Sequence, residues 1–286
     1  MKPPRLDGAR TAPRAGRARK RFGQHFLEAA WVQKLVTAAA FGPDDAVLEI
    51  GPGRGAITRP LAAAAGRLLA IEVDRDLAAE LEAAGLPNVR VVTSDILKVD
   101  LMPIVTDWLG AAPGPGNQIR VIGNLPYNIS SPILFRLIDF AAKTHGVRDA
   151  VLMLQKEVAD RLVASVGTGE YGVLTVLTAL HADVTRVLSL PPGAFRPPPK
   201  VHSAVVRLTF HPPRVAIDNP ALFERMVRTM FTQRRKTVAN ALKMFAVDQG
   251  VTPGPVLSRV GIDPKRRPET LDLTEMAALA GAFGSP

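Results

Sequence analysis

The sequence predicts an α/β protein: a doubly wound, mostly parallel sheet followed by a small all-helical domain. Strand-length apolar runs alternate with helical periodicity from Ala46 to Ser165. A glycine-rich turn joins the first such strand to its helix, and beyond HPPRV (residues 211–215) only helical patterning remains.

The elements follow in order. Residues 1–18 are basic, rich in Pro, Gly, Ala and Arg, and lack apolar periodicity, so a disordered tail is expected. AAWVQKLVTAAAF is the first helix. AVLEIGPGRGAITRPLA and RLLAIEVDRDLAAELEAAG each read as strand then helix, and VRVVTSDILKVD as a third strand with a loop. QIRVIGNLPYNISSPILFRLIDFA gives a fourth strand, a turn and a helix, and DAVLMLQKEVADRLVAS a fifth pair. ADVTRVLSLP and SAVVRLTFH add two strands, expected as a hairpin-like addition at the sheet edge. The expected domains are therefore 19–212 (α/β) and 213–286 (helical).

With 286 residues and 47% apolar content, the chain can bury a full core. It has no Cys, which excludes disulfides and thiolate metal sites; no metal is expected. No apolar run approaches the roughly eighteen residues of a membrane span, and no signal-type apolar segment opens the chain. A cytoplasmic protein is expected, and a monomer, since no long apolar seam stands out. The net charge of +10 divides into +7 for residues 1–21, −1 for 22–212 and +4 for 213–286. A neutral body with basic ends suits a polyanionic partner larger than the active site.

EIGPGRGA (residues 49–56) lets the backbone turn tightly and approach a ligand. Gly51, Gly53 and Ala56 also satisfy G-x-G-x-x-A, and Glu72 ends the next strand where a ribose diol would be held. An NAD-dependent dehydrogenase is thus one reading. Glu49 before the glycines and a second acid, Asp95, after the third strand favour S-adenosylmethionine (SAM). Its sulfonium tolerates carboxylates that a pyrophosphate would not. Glu72 would hold the ribose and Asp95 the adenine amino group.

NLPY (residues 124–127) ends the fourth strand. An adenine N6 amine is a poor nucleophile because its lone pair is delocalised. Acceptors placed tetrahedrally around it favour a pyramidal nitrogen aimed at the methyl group. The Asn124 side-chain oxygen and the Leu125 carbonyl are such acceptors. Pro126 holds that carbonyl by restricting the backbone, and Tyr127 offers a face for an extruded base. No ionised base is required before attack, so the expected catalysis is positioning with neutral electrostatics.

RKRFGQHFL, VLEIGPGRGAITRPL, IEVDRDLAAEL, SDIL, GNLPYNISSPILF, MLQKEVADRLVA, YGVLTVL, PPGAFRPPPKVHSAVVRL and FTQRRKTVANAL together resemble the small-subunit ribosomal RNA adenine N6,N6-dimethyltransferases. The resemblance implies a Rossmann-like SAM-dependent methyltransferase domain. It also implies two methyls on N6 of each of two adjacent adenosines, in the hairpin near the 3′ end of small-subunit RNA. Its implied SAM contacts are Leu27, Gly51, Glu72, Asp95 and Asn124, with His25 where the family pattern often has Asn. Phe195 matches the aromatic expected opposite Tyr127 across the target base.

TQRRK is expected to begin a helix whose Arg234, Arg235 and Lys236 contact RNA phosphates, with PKRRP (residues 264–268) as a second basic cluster. The implied partner is small-subunit RNA or the immature small subunit. The alternatives are a methylase of large-subunit RNA and a non-catalytic RNA-binding assembly factor.

Overall fold

The computed structural model describes residues 25–284. The tail of residues 1–18 and the first six residues of RKRFGQHFL lie outside them. The strands are β1 (Phe26–Leu27), β2 (Ala46–Ile50), β3 (Arg67–Glu72), β4 (Val89–Thr93), β5 (Ile119–Asn124), β6 (Val147–Gln155), β7 (Ala182–Leu190), β8 (Phe195–Arg196) and β9 (Ser203–Phe210). The first seven helices are α1 (Ala29–Ala39), α2 (Thr58–Ala64), α3 (Arg75–Ala83), α4 (Leu101–Leu109), α5 (Ser130–Thr144), α6 (Lys156–Leu162) and α7 (Val173–Ala179). The C-terminal five are α8 (Pro220–Thr232), α9 (Val238–Ala241), α10 (Lys243–Asp248), α11 (Pro253–Arg259) and α12 (Leu273–Gly284).

A seven-stranded sheet runs in the order β4-β3-β2-β5-β6-β9-β7. β2 is parallel to both β3 and β5, and each of its residues is buried, as a strand covered on both faces requires. Alternate residues feed two cores. Leu48, Ile50 and Val121 pack with Val105 and Leu137 on one face; Val47, Leu68 and Ile122 pack with Leu35 and Leu61 on the other. From β2 the chain builds outward to β4, then returns to lay β5 on β2's other side. That reversal opens a crevice at the strands' carboxyl ends, where both GPG and NLPY stand.

Three expectations need amendment. α4 was not anticipated: Asp100 caps it by accepting from the Met102 amide, and Pro103 falls in the first turn, where its missing N–H costs nothing. β7 and β9 do pair antiparallel at the edge, but β9 inserts between β6 and β7, and the Pro-rich link between them crosses to pair β8 with β1. QRRK does not begin a helix. It is the turn after α8, closed by the Lys236 amide on the Gln233 carbonyl, and Thr237 caps α9 beyond it. Strands end at Phe210 and helices resume at Pro220, yet the C-terminal core also takes Tyr171, Val176 and Leu180 from before that junction.

Candidate active site

One cavity at the sheet's carboxyl edge is lined by His25, Leu27, Gly51, Gly53, Glu72, Asp95, Asn124, Leu125, Pro126 and Tyr127, among others. It gathers every expected catalytic and cofactor residue. Phe195, Arg234, Arg235 and Lys236 lie elsewhere.

Gly51 and Gly53 have φ of +67° and +58°, a region only glycine enters cheaply, and they leave the cavity floor as bare backbone. Glu72 braces this turn: one carboxylate oxygen accepts from the Gly53 amide and the other from the Asp74 amide, each at 2.9 Å. Each oxygen keeps a lone pair for a diol. Just past the next strand Asp95 accepts from the Leu97 amide at 2.9 Å, which fixes its carboxylate at the cavity wall. Ile50, Ile71, Ile96 and Leu27 supply apolar surface between the two acids. The described lining holds two carboxylates and no Lys or Arg, a poor setting for a pyrophosphate and a good one for a cationic nucleoside. The residues present therefore fit SAM.

Glu49 departs from its expected role. Its side chain is buried beneath the turn, outside the cavity lining, with Oε2 unpartnered. Burial, reinforced by the nearby Glu72 carboxylate, pushes its carboxyl up to about 8. It is thus largely neutral at pH 7 and adds little negative charge. Linkage makes this testable. The unfolded chain releases this proton near 4.5 and the folded chain near 8, so stability falls as pH rises through that window. Thermal unfolding midpoints of wild type should decline relative to those of Glu49→Gln from pH 5 to 8; parallel curves would contradict the assignment.

The acceptor pair is held from several sides. The Asn124 side-chain amide donates to the His25 carbonyl at 3.2 Å. Because that carbonyl can only accept, the amide's orientation is set and Oδ1 is the free end. No donor among the described residues reaches Asn124 Oδ1 or the Leu125 carbonyl. The Leu125 amide bonds the Met153 carbonyl at 3.2 Å, and its side chain is buried, so the peptide is anchored while its oxygen stays available. The Pro126 carbonyl accepts from Ile129, closing the turn into α5. The Tyr127 hydroxyl shares a 2.7 Å hydrogen bond with Ser203, and burial pushes its ionisation up, keeping the ring neutral.

Phe195 corrects an expectation. It is 1% exposed, packed in the core beneath β1, and does not line the cavity. Its partner in the β1–β8 ladder is Leu27, so it anchors the segment that crosses the site. Arg196 reinforces that crossing with an ion pair to Glu28 at 3.0 Å. Sequence reasoning missed Ser203 and the Pro197 carbonyl, which holds the His25 ring. Both are brought in by the β6–β9 pairing and the β8 crossing, for which no local signal exists.

Of the basic residues, Arg234 is half-buried and donates to the Gly169 carbonyl at 2.6 Å, tying the QRRK turn to the loop before α7. Arg266 in PKRRP is clamped to Glu275. Arg235, Lys236, Lys265 and Arg267 are exposed.

This glycine turn, its paired acids and the acceptor turn across the crevice define a Rossmann-like SAM-dependent methyltransferase. Solved structures agree. A dimethyladenosine transferase from Plasmodium falciparum superposes with a TM-score of 0.71 at 26% identity, covering 89% of this chain and 96% of its own. The 23S rRNA methyltransferase ErmE gives 0.61 at 26% identity, with 91% and 100% covered. Residues 15–278 match the model of the family described as ribosomal RNA adenine dimethylase, and the chain belongs to that family. Among its relatives, the "Ribosomal RNA small subunit methyltransferase A" of Pseudomonas fluorescens is 42% identical, over 92% of this chain and 93% of that one. The protein of the same name from Geobacter metallireducens is 44% identical, over 93% and 96%.

Proposed function

We propose that this chain dimethylates N6 of two adjacent adenosines in the hairpin near the 3′ end of small-subunit ribosomal RNA, using the Asn124–Leu125 oxygen pair to activate the amine. Small-subunit rather than large-subunit RNA is favoured because relatives of that name match at 42–44% identity, against 26% for ErmE. The single observation that carries the mechanism is the pair of unpartnered, rigidly held neutral oxygens at the β5 end of the cavity.

SAM supplies an electrophilic methyl on a cationic sulfur. Leu27, Gly51, Glu72, Asp95 and Asn124 would hold it: Glu72 would take the ribose hydroxyls, Asp95 the adenine amino group, and Leu27 the apolar face. Asn124 Oδ1 and the Leu125 carbonyl accept the two N6–H bonds of the target adenine. Nitrogen then pyramidalises and its lone pair points away from both oxygens. Pro126 limits drift of the Leu125 carbonyl, and Tyr127 stacks on the base. The methylated nitrogen carries an acidic proton that passes to solvent, which leaves a monomethyl amine able to enter a second cycle. A cytoplasmic monomer acting on the immature small subunit fits this reading. Among the described residues, no helix is long and apolar enough to cross a membrane.

Residues 213–286 would bind RNA through phosphate contacts, with Arg235 and Lys236 presented on an exposed turn and Arg234 positioning that turn. Arg235→Glu with Lys236→Glu should weaken small-subunit RNA binding by about tenfold or more at moderate salt and leave SAM affinity unchanged. Unchanged RNA binding in matched salt would remove the turn from the interface. The function itself is tested by incubating the protein and labelled SAM with naked small-subunit RNA, immature small subunits and large-subunit RNA, then mapping the modified bases. Dimethyladenosine at two neighbouring positions of small-subunit RNA is expected. Label confined to large-subunit RNA would overturn the assignment.

A further inference from the structure

α5 turns one face toward the wall of the cavity. Ile129 at its N-cap and Ile133 line that wall, and Arg136 follows on the same face, three residues on. A cation is out of keeping with such a face. Its Nε is buried without a partner. Its partners among the described residues are two backbone carbonyls: Leu97, reached by Nη1 at 3.2 Å, and Val99, reached by Nη2.

Those carbonyls close the turn that carries Asp95. The Lys98 and Val99 amides both bond the Asp95 carbonyl at 2.9 Å, and the Leu97 amide bonds the Asp95 carboxylate at the same distance. Three amides thus point back at Asp95, and the carbonyls at the far end of the turn need donors from elsewhere. The planar fork of Arg136 serves two of them together.

Other groups tie only the ends of this segment. The Ser94 amide bonds the Glu72 carbonyl at 2.8 Å, and Asp100 caps α4. Between them Ile96, Leu97 and Val99 pack on the core, which keeps the turn at its depth. Apolar packing is non-directional, so it does not set the angle of the turn. Lys98 lies 3.7 Å from the Asp95 carboxylate, but its side chain is 84% exposed and steers it little. The direction in which Asp95 faces the cavity therefore falls to the Arg136 guanidinium.

We propose that Arg136 is a positioning residue for cofactor recognition: it holds the Asp95–Val99 turn at the angle from which Asp95 reads the adenine amino group. This rests on the assignment of Asp95 to that amino group under Proposed function, and deepens it.

Arg136→Met keeps the bulk of the side chain and removes the fork, whereas Arg136→Lys keeps a single donor group. Calorimetry with S-adenosylhomocysteine and with its inosine counterpart, which carries an oxygen in place of the amino group, reads what Asp95 recognises without turnover. Wild type should prefer the amino form by about thirtyfold, because the oxygen sets two acceptors against each other. In Arg136→Met the affinity for S-adenosylhomocysteine should fall about tenfold and that for the inosine form stay nearly constant, so the preference shrinks to about threefold. Arg136→Lys should fall between the two. The KM for SAM should rise in step, with kcat at saturating SAM within about threefold of wild type.

An unchanged preference in both variants would overturn the proposal. Equal weakening of both ligands, with a lowered thermal midpoint, would overturn it in favour of a general staple of the fold. A wild type that does not distinguish the two ligands would overturn the Asp95 assignment, and the inference with it. Either of the first two patterns beside a discriminating wild type defeats the inference alone.

Discussion

Asn124→Ala should lower the single-turnover rate of methyl transfer by about 10²–10³, the usual loss on deleting one preorganised group that acts on the transition state. In the proposed mechanism the side chain supplies one of the two oxygens that hold the amine pyramidal, and nothing nearby replaces it: Asp95 and Glu72 are committed to backbone amides across the cavity. Losing the donor to the His25 carbonyl is a smaller effect, because β1 is also held by its ladder and by the Arg196–Glu28 pair. Thermal stability should therefore change little. Asn124→Asp is a sharper control. It keeps an acceptor oxygen but sets a carboxylate against the His25 carbonyl, so the oxygen is present and misdirected, and activity should stay low. A rate within a few-fold of wild type for either variant, measured with labelled SAM and saturating RNA, would show that the amide is not central.

Arg120→Met should cost about 3–5 kcal/mol of folding stability, the range seen when one partner of a buried ion pair is removed. For a chain of this size, roughly 2–4 °C of midpoint is lost per kcal/mol, so the melting temperature should fall by about 10 °C. Arg120 is 5% exposed in the middle of the sheet. Its guanidinium grips Asp149 through two 2.6 Å bonds, meets Asp45 at 2.8 Å, and donates to the Ala40 and Ala39 carbonyls that end α1. Arg207 adds further donors to Asp149 and to the Ala38 and Ala39 carbonyls. Burial pushes the Asp45 carboxyl up, but the Gly42 amide and Arg120 outweigh it and hold the group below its ordinary value. With Arg120 gone, Asp45 and Asp149 are left largely buried with less compensation, and α1 loses the cation at its negative end. Since α1 follows directly on β1, the variant should also loosen the strap over the active site. Calorimetric unfolding near pH 7 checks the number; a loss under about 1 kcal/mol would mean that Arg207 and Arg148 suffice.

This network was invisible in the sequence, and the reason is instructive. Asp45, Arg120, Asp149 and Arg207 belong to four segments joined only by sheet register: Arg120 stands opposite Asp149, and Arg207 lies two residues along β9 from Thr209, the residue opposite Asp149. Local pattern carries no trace of such neighbours. The parallel core was legible because its strands are continuous apolar runs that can only be covered on both faces. The cofactor side was legible for a related reason. Gly51, Gly53, Glu72 and Asp95 each stand at or just beyond a strand end, and in a doubly wound sheet those ends converge. NLPY could be read because Pro126 fixes its own neighbour. Phe195 misled because a motif fixes a position in the chain, whereas the side to which a side chain turns is settled by pairing, here with Leu27. The QRRK turn misled differently: strong helix formers on both sides concealed the break that Thr237 makes by capping α9.

The proposed catalysis depends most on two neutral oxygens meeting the target amine. A crystal structure of the protein with S-adenosylhomocysteine and an RNA hairpin containing the target adenosine would measure this directly. The predicted result places adenine N6 at about 3 Å from both Asn124 Oδ1 and the Leu125 carbonyl, with its free side facing the cofactor sulfur. An amine paired instead with an ionised carboxylate, or out of hydrogen-bond reach of either oxygen, would contradict it.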